Sequence, residues 1–446
     1  MTLRTKLGYG VGDLGGNLFF TVVSFHLLIF FTDTVGLSPA LTGLAFTVAR
    51  LWDAVTDPLM GVISDRTRTR WGRRRPYLLA GAPLLLAGIA VLFVDPGLQT
   101  PGALFAWAAI VYGLANTAYT VAFIPYNSLT PDLAPGSDQR TALNGYRMSF
   151  AVVGTLIGAA GFPMLVSVLG PGAPGYGRAG LVTGAIVCAG LLVTFLMVRE
   201  PPPPAATTGT ATTGTDGVGL RPVVQALGNR AFLLVLIPWT LHMVGISLVS
   251  PMVVFYFKYV HGDEGLSQIA LGVLLIAAMA SISLWVVFGK RLEKRTCYNL
   301  GMVWFCVCLL AAAAFGQRSV PLTLVIIGLA GIGLATHYVF PWSMLPDAID
   351  AGAVASGRRD EGVYYGLWTL LQKGGQALAP LLAGITLSAT GYAPDAVQTP
   401  AALTGIRLLV GPFPAVFFAA AVAVLTAYPI TRAAHAKLRE RLTRAS

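Results

Sequence analysis

The sequence predicts an all-α integral membrane protein that crosses the bilayer twelve times, and three observations carry that reading. Of 446 residues, 55% are hydrophobic and only 11% are charged, with a mean hydropathy of +0.71. Soluble domains carry about 25% charged residues, so this chain cannot cover a water-facing surface. Apolar runs recur along its whole length. A crossing needs about 20 such residues, and at roughly 37 per crossing with its loop the chain suits about twelve helices. Finally, the cations gather in alternate connections. This composition excludes a soluble enzyme, a secreted disulfide scaffold and a disordered regulator.

The apolar pattern places helices over residues 7–32, 39–64, 76–94, 102–130, 140–169, 179–199, 230–259, 267–289, 297–315, 320–350, 361–391 and 405–429. Several exceed what a bilayer requires, which implies tilt or projection into the headgroups. The N-terminus, the even-numbered connections and the C-terminal end hold 23 of the 30 Lys and Arg. The odd-numbered connections and nearby helix ends hold Arg178, Lys258, Arg318 and Arg407; Arg50, Arg147 and Lys373 fall inside spans. Cytoplasmic loops carry the Lys/Arg excess in membrane proteins. Both termini are therefore expected in the cytoplasm of a multi-pass plasma-membrane protein. These loops account for the net charge of +11, and no nucleic-acid partner is expected. Arg4 and Lys6 lead into a long helix without a small-residue cleavage site, so no removable signal is expected.

Residues 200–229 break the pattern. Rich in Pro, Thr and Gly and lacking a large apolar stretch, they read as a mobile cytoplasmic linker. It separates an N-terminal six-helix bundle (1–199) from a C-terminal six-helix bundle (230–431), which a cytoplasmic tail (432–446) follows. The halves carry an internal repeat. Ser128-Leu-Thr-Pro-Asp132 is answered by Ser343-Met-Leu-Pro-Asp347 at an offset of 215. Gly61-Val-Ile-Ser-Asp65-Arg66, followed by Gly72-Arg-Arg-Arg75, has a weaker echo in Gly289-Lys-Arg-Leu-Glu-Lys-Arg295. Two six-helix halves around a central linker form the plan of a major facilitator transporter, which holds substrate at the midplane between them.

Charges at membrane depth are costly and usually face a cavity and a partner. Arg50, Asp53 and Asp57 share one face of the second helix. Two adjacent carboxylates repel unless a cation sits between them or one takes a proton, and such hard oxygens suit Na⁺. The alternative is an Arg–Asp pair that merely holds helices together, which leaves the second Asp uncompensated. Lys373, mid-span in the eleventh helix beside Gly374 and Gly375, is the expected counter-charge; the alternative is a lysine snorkelling to one end. Arg147 fits either a gating ion pair or a substrate contact. Asp13 and Asn17, one turn apart in a glycine-rich first helix, fit either contacts to substrate hydroxyls or an interhelical hydrogen bond. Trp342 and Tyr119 are candidate aromatic contacts, because their helices carry the repeated Pro-Asp element or reach the expected cavity. His26, His242 and His337 read as packing residues.

Residues 66–75 pack six cations into ten positions. Such a loop fits anionic lipid heads or an intracellular latch, in which Asp65, Arg66 and Arg73 pair with helix ends and Asp132, Asp347 and Asp350 supply acidic counterparts. There is no P-loop, no nucleophilic triad and no metal-ligand spacing beyond the possible Na⁺ site. The chain reads as a non-enzyme without cofactor, and its four cysteines read as packing residues.

Several motifs together resemble one family. Lys6-Leu-Gly-Tyr9-Gly10, Thr32-Asp33-Thr-Val-Gly36-Leu37, the run from Ala49 to Gly61 containing Trp52-Asp53-Ala-Val-Thr-Asp57-Pro58, and Lys373-Gly-Gly375 resemble the glycoside–pentoside–hexuronide:cation symporters of the melibiose-permease type. The resemblance runs through nearly the whole chain. It implies a monomer that takes up a small polar solute, with a coupling ion (Na⁺, H⁺ or Li⁺) held by Asp53, Thr56, Asp57 and Thr120, and Lys373 beside them. Thr56 stands where the melibiose type has Asn. On the sugar side Arg147, Trp342 and Lys373 carry over. The two carboxylates that grip a galactoside become Asn17 and Phe123, and a binding tryptophan becomes Asn127, which argues against melibiose itself. Pro341-Trp-Ser-Met-Leu-Pro-Asp347, Ile124-Pro-Tyr126 and Trp52–Asp57 also resemble the sodium-dependent lysophosphatidylcholine symporters of the same superfamily, and Phe123 would suit an apolar substrate portion. A cation-coupled glycoside symporter is therefore expected. The alternatives are a lysophospholipid transporter, and an uncoupled facilitator or a receptor that binds solute without moving it.

Overall fold

The computed structural model describes residues 2–134, 137–170, 172–200, 220–356, 361–435 and 438. These residues fold into helices of the lengths a bilayer demands. The first, α1 (Leu3–Ile29), runs on through a π-helical turn at Phe30–Thr34. It is followed by α2 (Pro39–Arg66), α3 (Arg75–Leu92) and α4 (Pro101–Leu133). A π turn at Ile157–Gly161 joins α5 (Ser137–Leu156) to α6 (Phe162–Leu169), so that the two make one span. After α7 (Gly172–Met197) and the short α8 (Leu220–Gly228) come α9 (Arg230–Val260), α10 (Leu266–Arg291), α11 (Lys294–Phe315), α12 (Val320–Ser356) and α13 (Glu361–Ala389). The last span is α14 (Pro400–Val410) and α15 (Pro412–Leu425), broken at Gly411. Local chemistry sets the starts: Thr2 and Thr100 accept backbone N–H groups as N-caps, and α2, α3 and α4 carry Pro in the first turn.

Among the described residues ten spans are long and apolar enough to cross a membrane. Two more complete the twelve: α2 and α13 have 28 and 29 residues, and charges inside them lower their hydropathy. The sixth span begins at Gly172 rather than 179. Its Gly- and Pro-rich start reads as loop, but Tyr176 anchors it in a ring cluster with Phe30, Phe93 and Phe162. The twelfth begins at Pro400 rather than 405. Of the expected linker, 201–219 lie outside the described residues and Leu220–Gly228 form α8; the tail beyond 435, save 438, also lies outside them.

Among the described residues two compact units result. The first holds residues 1–204, 250–272 and 380–405, so α1–α7 pack with the cation-poor ends of α9, α10, α13 and α14. There α2 and α13 cross backbone to backbone: a Cβ on Gly43 would overlap the Pro380 carbonyl, and one on Gly384 would overlap that of Pro39. Small residues permit such approach in membranes. The second unit holds residues 205–249, 273–379 and 406–446. Its core is an aromatic column in which Trp368, Trp239, His337 and His242 stack in turn at centroid spacings of 5.0, 4.8 and 4.6 Å.

Gly72 closes the turn before α3 at φ +107° with the Glu200 carboxylate directly against it. Gly72→Ala therefore meets both a strained backbone and a clash. It is expected to cost roughly 1–3 kcal/mol, read as a lower unfolding temperature of the purified protein.

Candidate functional site

In the first unit α2 presents Arg50, Asp53 and Asp57, all half-buried, toward α4. Thr120 of α4 is 2% exposed, and its hydroxyl donates to Asp57 Oδ1 at 2.7 Å. Arg50 lies against the buried Tyr112 of α4, whose hydroxyl also meets Asn116. Thr56 turns back on its own helix, donating to the Trp52 carbonyl at 3.3 Å, while the Trp52 indole donates to Thr117 at 3.1 Å. Asp53, Asp57 and Thr120 thus form a group of hard oxygens on two packed helices, and Thr56, next to Asp57 in α2, has its hydroxyl engaged by its own helix.

A second network ties α1, α4 and α5. Arg147 forks onto Asp13, Nε to Oδ2 at 2.6 Å and Nη2 to Oδ1 at 3.0 Å. It also donates to Thr130 (3.0 Å) and Asn127 (2.6 Å) and lies 5.4 Å from the ring centroids of both Tyr9 and Tyr126. Tyr126 donates to Asp13 Oδ2 at 2.7 Å. Asn17 is spent on the Asp13 carbonyl at 2.8 Å. Phe19, Tyr119 and Phe123 stack in series at 5.2 and 4.5 Å, and Phe123, 2% exposed, fills the space left by Gly16. The Phe123 ring is therefore packed inside the bundle.

Each unit carries an ion-pair network built on the repeat. In the first, Arg74 grips the Ser128 carbonyl and Asp132 (2.6 Å) and pairs with Asp65 at 2.9 Å. Arg73 pairs with Asp132 (3.1 Å) and Glu200 (3.6 Å), and Glu200 accepts the Arg74 N–H at 3.0 Å. Asp132, partly exposed between these two arginines, raises the Arg73 pKa. In the second unit Lys294 donates to the Ser343 carbonyl at 2.9 Å and to Asp347 at 2.5 Å. His435 lies 3.2 Å from Asp350 and 3.5 Å from Asp347. The same Ser carbonyl and Asp carboxylate thus hold a cation in both halves. Glu200, Lys294 and His435 were not singled out from the sequence; only the repeat itself could have pointed to Lys294. Arg66 makes no ion pair with a described residue. Lys373 of α13, half-buried, and Trp342 of α12, 47% exposed and edge-on to Trp239, belong to the second unit.

Sequence reasoning also missed a cluster at the cation-poor end of the first unit. Asp33, its side chain 3% exposed, pairs with Lys258 Nζ at 2.6 Å and accepts from Thr32 (2.8 Å), Tyr259 and Tyr392. Lys258 also reaches Asp395 at 2.6 Å. Burial, reinforced by the Asp33 carboxylate, pushes the Tyr392 phenol far above its ordinary range. The sequence signals were a lysine at an end otherwise poor in cations and the Thr32–Leu37 motif that contains Asp33.

A family model described as MFS/sugar transport protein matches residues 8–432. An uncharacterized symporter of Synechocystis sp. is 30% identical, over 98% of this chain and 96% of its own length. The isoprimeverose transporter of Lactiplantibacillus pentosus is 28% identical, over 96% of this chain and 88% of its own. Among solved structures a D-xylose-proton symporter superposes with a TM-score of 0.67 at 14% identity, covering 96% of this chain and 98% of the other, a likeness of fold.

Proposed function

The chain belongs to the family of MFS/sugar transport proteins, and from that premise we propose that it is a monomeric cation-coupled symporter importing a glycoside or related polar solute by alternating access. It works in the plasma membrane with both termini in the cytoplasm. Its two six-helix bundles, 1–199 and 230–431, move about the linker. The observation that carries the coupling is the Thr120 hydroxyl set 2.7 Å from Asp57. Arg50, Asp53 and Asp57 sum to one negative charge. One monovalent cation, Na⁺, Li⁺ or H⁺, makes the group neutral, and a neutral group is the cheaper one to enclose at membrane depth. A filled cation site then favours the state that encloses substrate, and substrate raises cation affinity by the same factor.

A glycoside is supported by the polar groups Asn127, Arg147 and Lys373, and by the name of the isoprimeverose relative. Phe123 is 2% exposed and stacked on Tyr119, so its ring gives a lysolipid chain no added support.

The test is uptake into proteoliposomes with and without a Na⁺ or pH gradient. Asp57→Asn keeps the shape and removes one charge. Ion-stimulated uptake is expected to vanish, while substrate binding is retained in part. Unchanged ion dependence in both Asp57→Asn and Asp53→Asn would return the two residues to a structural role and leave an uncoupled facilitator.

A further inference from the structure

The six cations of residues 66–75 divide into two sets. Arg73 and Arg74 are consumed by Asp132, Asp65 and Glu200, and Arg75 donates to the Phe195 carbonyl at 2.6 Å. Arg66, Arg68 and Arg70 are exposed and form no ion pair with a described residue. The guanidinium of Arg70 lies 4.7 Å from the ring centroid of Trp71, which is 38% exposed and edge-on to Phe195 at 5.9 Å.

These groups are presented on an ordered turn. The Gly72 N–H donates to the Thr69 carbonyl at 3.1 Å, the Thr69 hydroxyl donates to the Gly72 carbonyl at 2.7 Å, and the Thr67 and Tyr77 hydroxyls meet at 2.5 Å. The turn joins the ends of two membrane-crossing helices, α2 and α3. Its depth is therefore that of the lipid headgroups. A guanidinium offers paired donors that match a phosphodiester, and an indole settles where apolar and wet layers meet.

We propose that this turn binds the headgroup of an anionic phospholipid, with Arg66, Arg68 and Arg70 holding the phosphate and Trp71 lying against the glycerol and upper acyl chain. The indole decides between occupants. A free phosphate or a soluble acidic segment has no use for an aromatic face at the acyl boundary, whereas a lipid uses both features at once. The inner arginines lock the bundle and the outer ones read the leaflet, so one loop does both.

Native mass spectrometry of the full-length purified protein, titrated with phosphatidylglycerol or phosphatidylcholine, tests this. The tightest phosphatidylglycerol is expected to be retained at least about tenfold better than phosphatidylcholine, since each cation near an anionic lipid contributes roughly fivefold. Arg66→Gln/Arg68→Gln/Arg70→Gln should weaken it by about a hundredfold, at roughly fivefold per cation. The corresponding triple Lys variant should keep most of the affinity, and Trp71→Ala should lose part of it. Arg318→Gln, an exposed cation at the opposite helix ends, should change nothing. Equal retention of both lipids, parent-like binding by the triple Gln variant, or an equal loss in Arg318→Gln would overturn the proposal. So would displacement of the lipid by inorganic phosphate at equal concentration.

Discussion

Asp33→Asn is expected to abolish most uptake and to open the cation-poor end of the first unit to solvent. The Asp33 carboxylate is almost fully enclosed and gathers Lys258 and Tyr259 of α9, Tyr392 after α13 and Thr32 of its own helix. Removing one partner of a buried ion pair costs about 3–5 kcal/mol, because the other charge is stranded. A cost of that size shifts a closed–open equilibrium by a factor of hundreds or more. The reporter is a cysteine at Thr42, which is 0% exposed and sits one residue before the Gly43–Pro380 crossing of α2 and α13. In a background with Cys188, Cys297, Cys306 and Cys308 replaced, a membrane-impermeant maleimide should label it at least tenfold faster in Asp33→Asn and Lys258→Ala, well within the shift a stranded buried charge supports. Tyr392→Phe removes one donor and should have a smaller effect. Because the Tyr392 phenol is held protonated far above its ordinary pKa, the closed state should not loosen as pH rises through the range where a free tyrosine ionises. Parent-like labelling in both Asp33→Asn and Lys258→Ala would show that the cluster is not what keeps this end shut.

The spans were legible because a bilayer imposes one requirement, length in apolar residues, and meets it locally. Even α2, too polar to pass on hydropathy, was legible, since the three-and-four spacing of Arg50, Asp53 and Asp57 is itself helical. The ion-pair network on the repeat was half legible. The repeated Pro-Asp element and the basic loop pointed to each other, but which arginine turns inward depends on the backbone turn at Gly72, and that turn selects Arg74. In the second half the corresponding cation, Lys294, sits among other charges that resemble it equally. Asp33, Lys258 and Tyr392 could not be joined from sequence. They lie 225 and 359 positions apart from Asp33 along the chain, and each alone resembles an ordinary residue at a membrane surface. The choice left open for Asp13, substrate hydroxyl or interhelical hydrogen bond, is one that composition cannot make; the fold puts Arg147 and Tyr126 on its carboxylate.

That arrangement predicts that Arg147→Met and Asp13→Asn are each strongly destabilising in the absence of substrate. The pair is bidentate, its side chains are only 14% and 10% exposed, and Arg147 also secures Thr130 and Asn127. Truncating either partner leaves the other as a buried charge with its fork or its lone pairs unmet, at a cost of about 3–5 kcal/mol. Replacing both, as in Asp13→Asn/Arg147→Met, removes the stranded charge and should cost less than the sum of the single changes. A double-mutant cycle on unfolding temperatures in detergent reads that coupling directly. Arg147→Lys should recover only part of the loss, since an ammonium cannot reproduce two parallel donors. The discriminating outcome is Arg147→Met with an unchanged unfolding temperature and no substrate binding. In that case the guanidinium serves the ligand, and the three helices it touches are held by their ring stacks and glycine contacts alone.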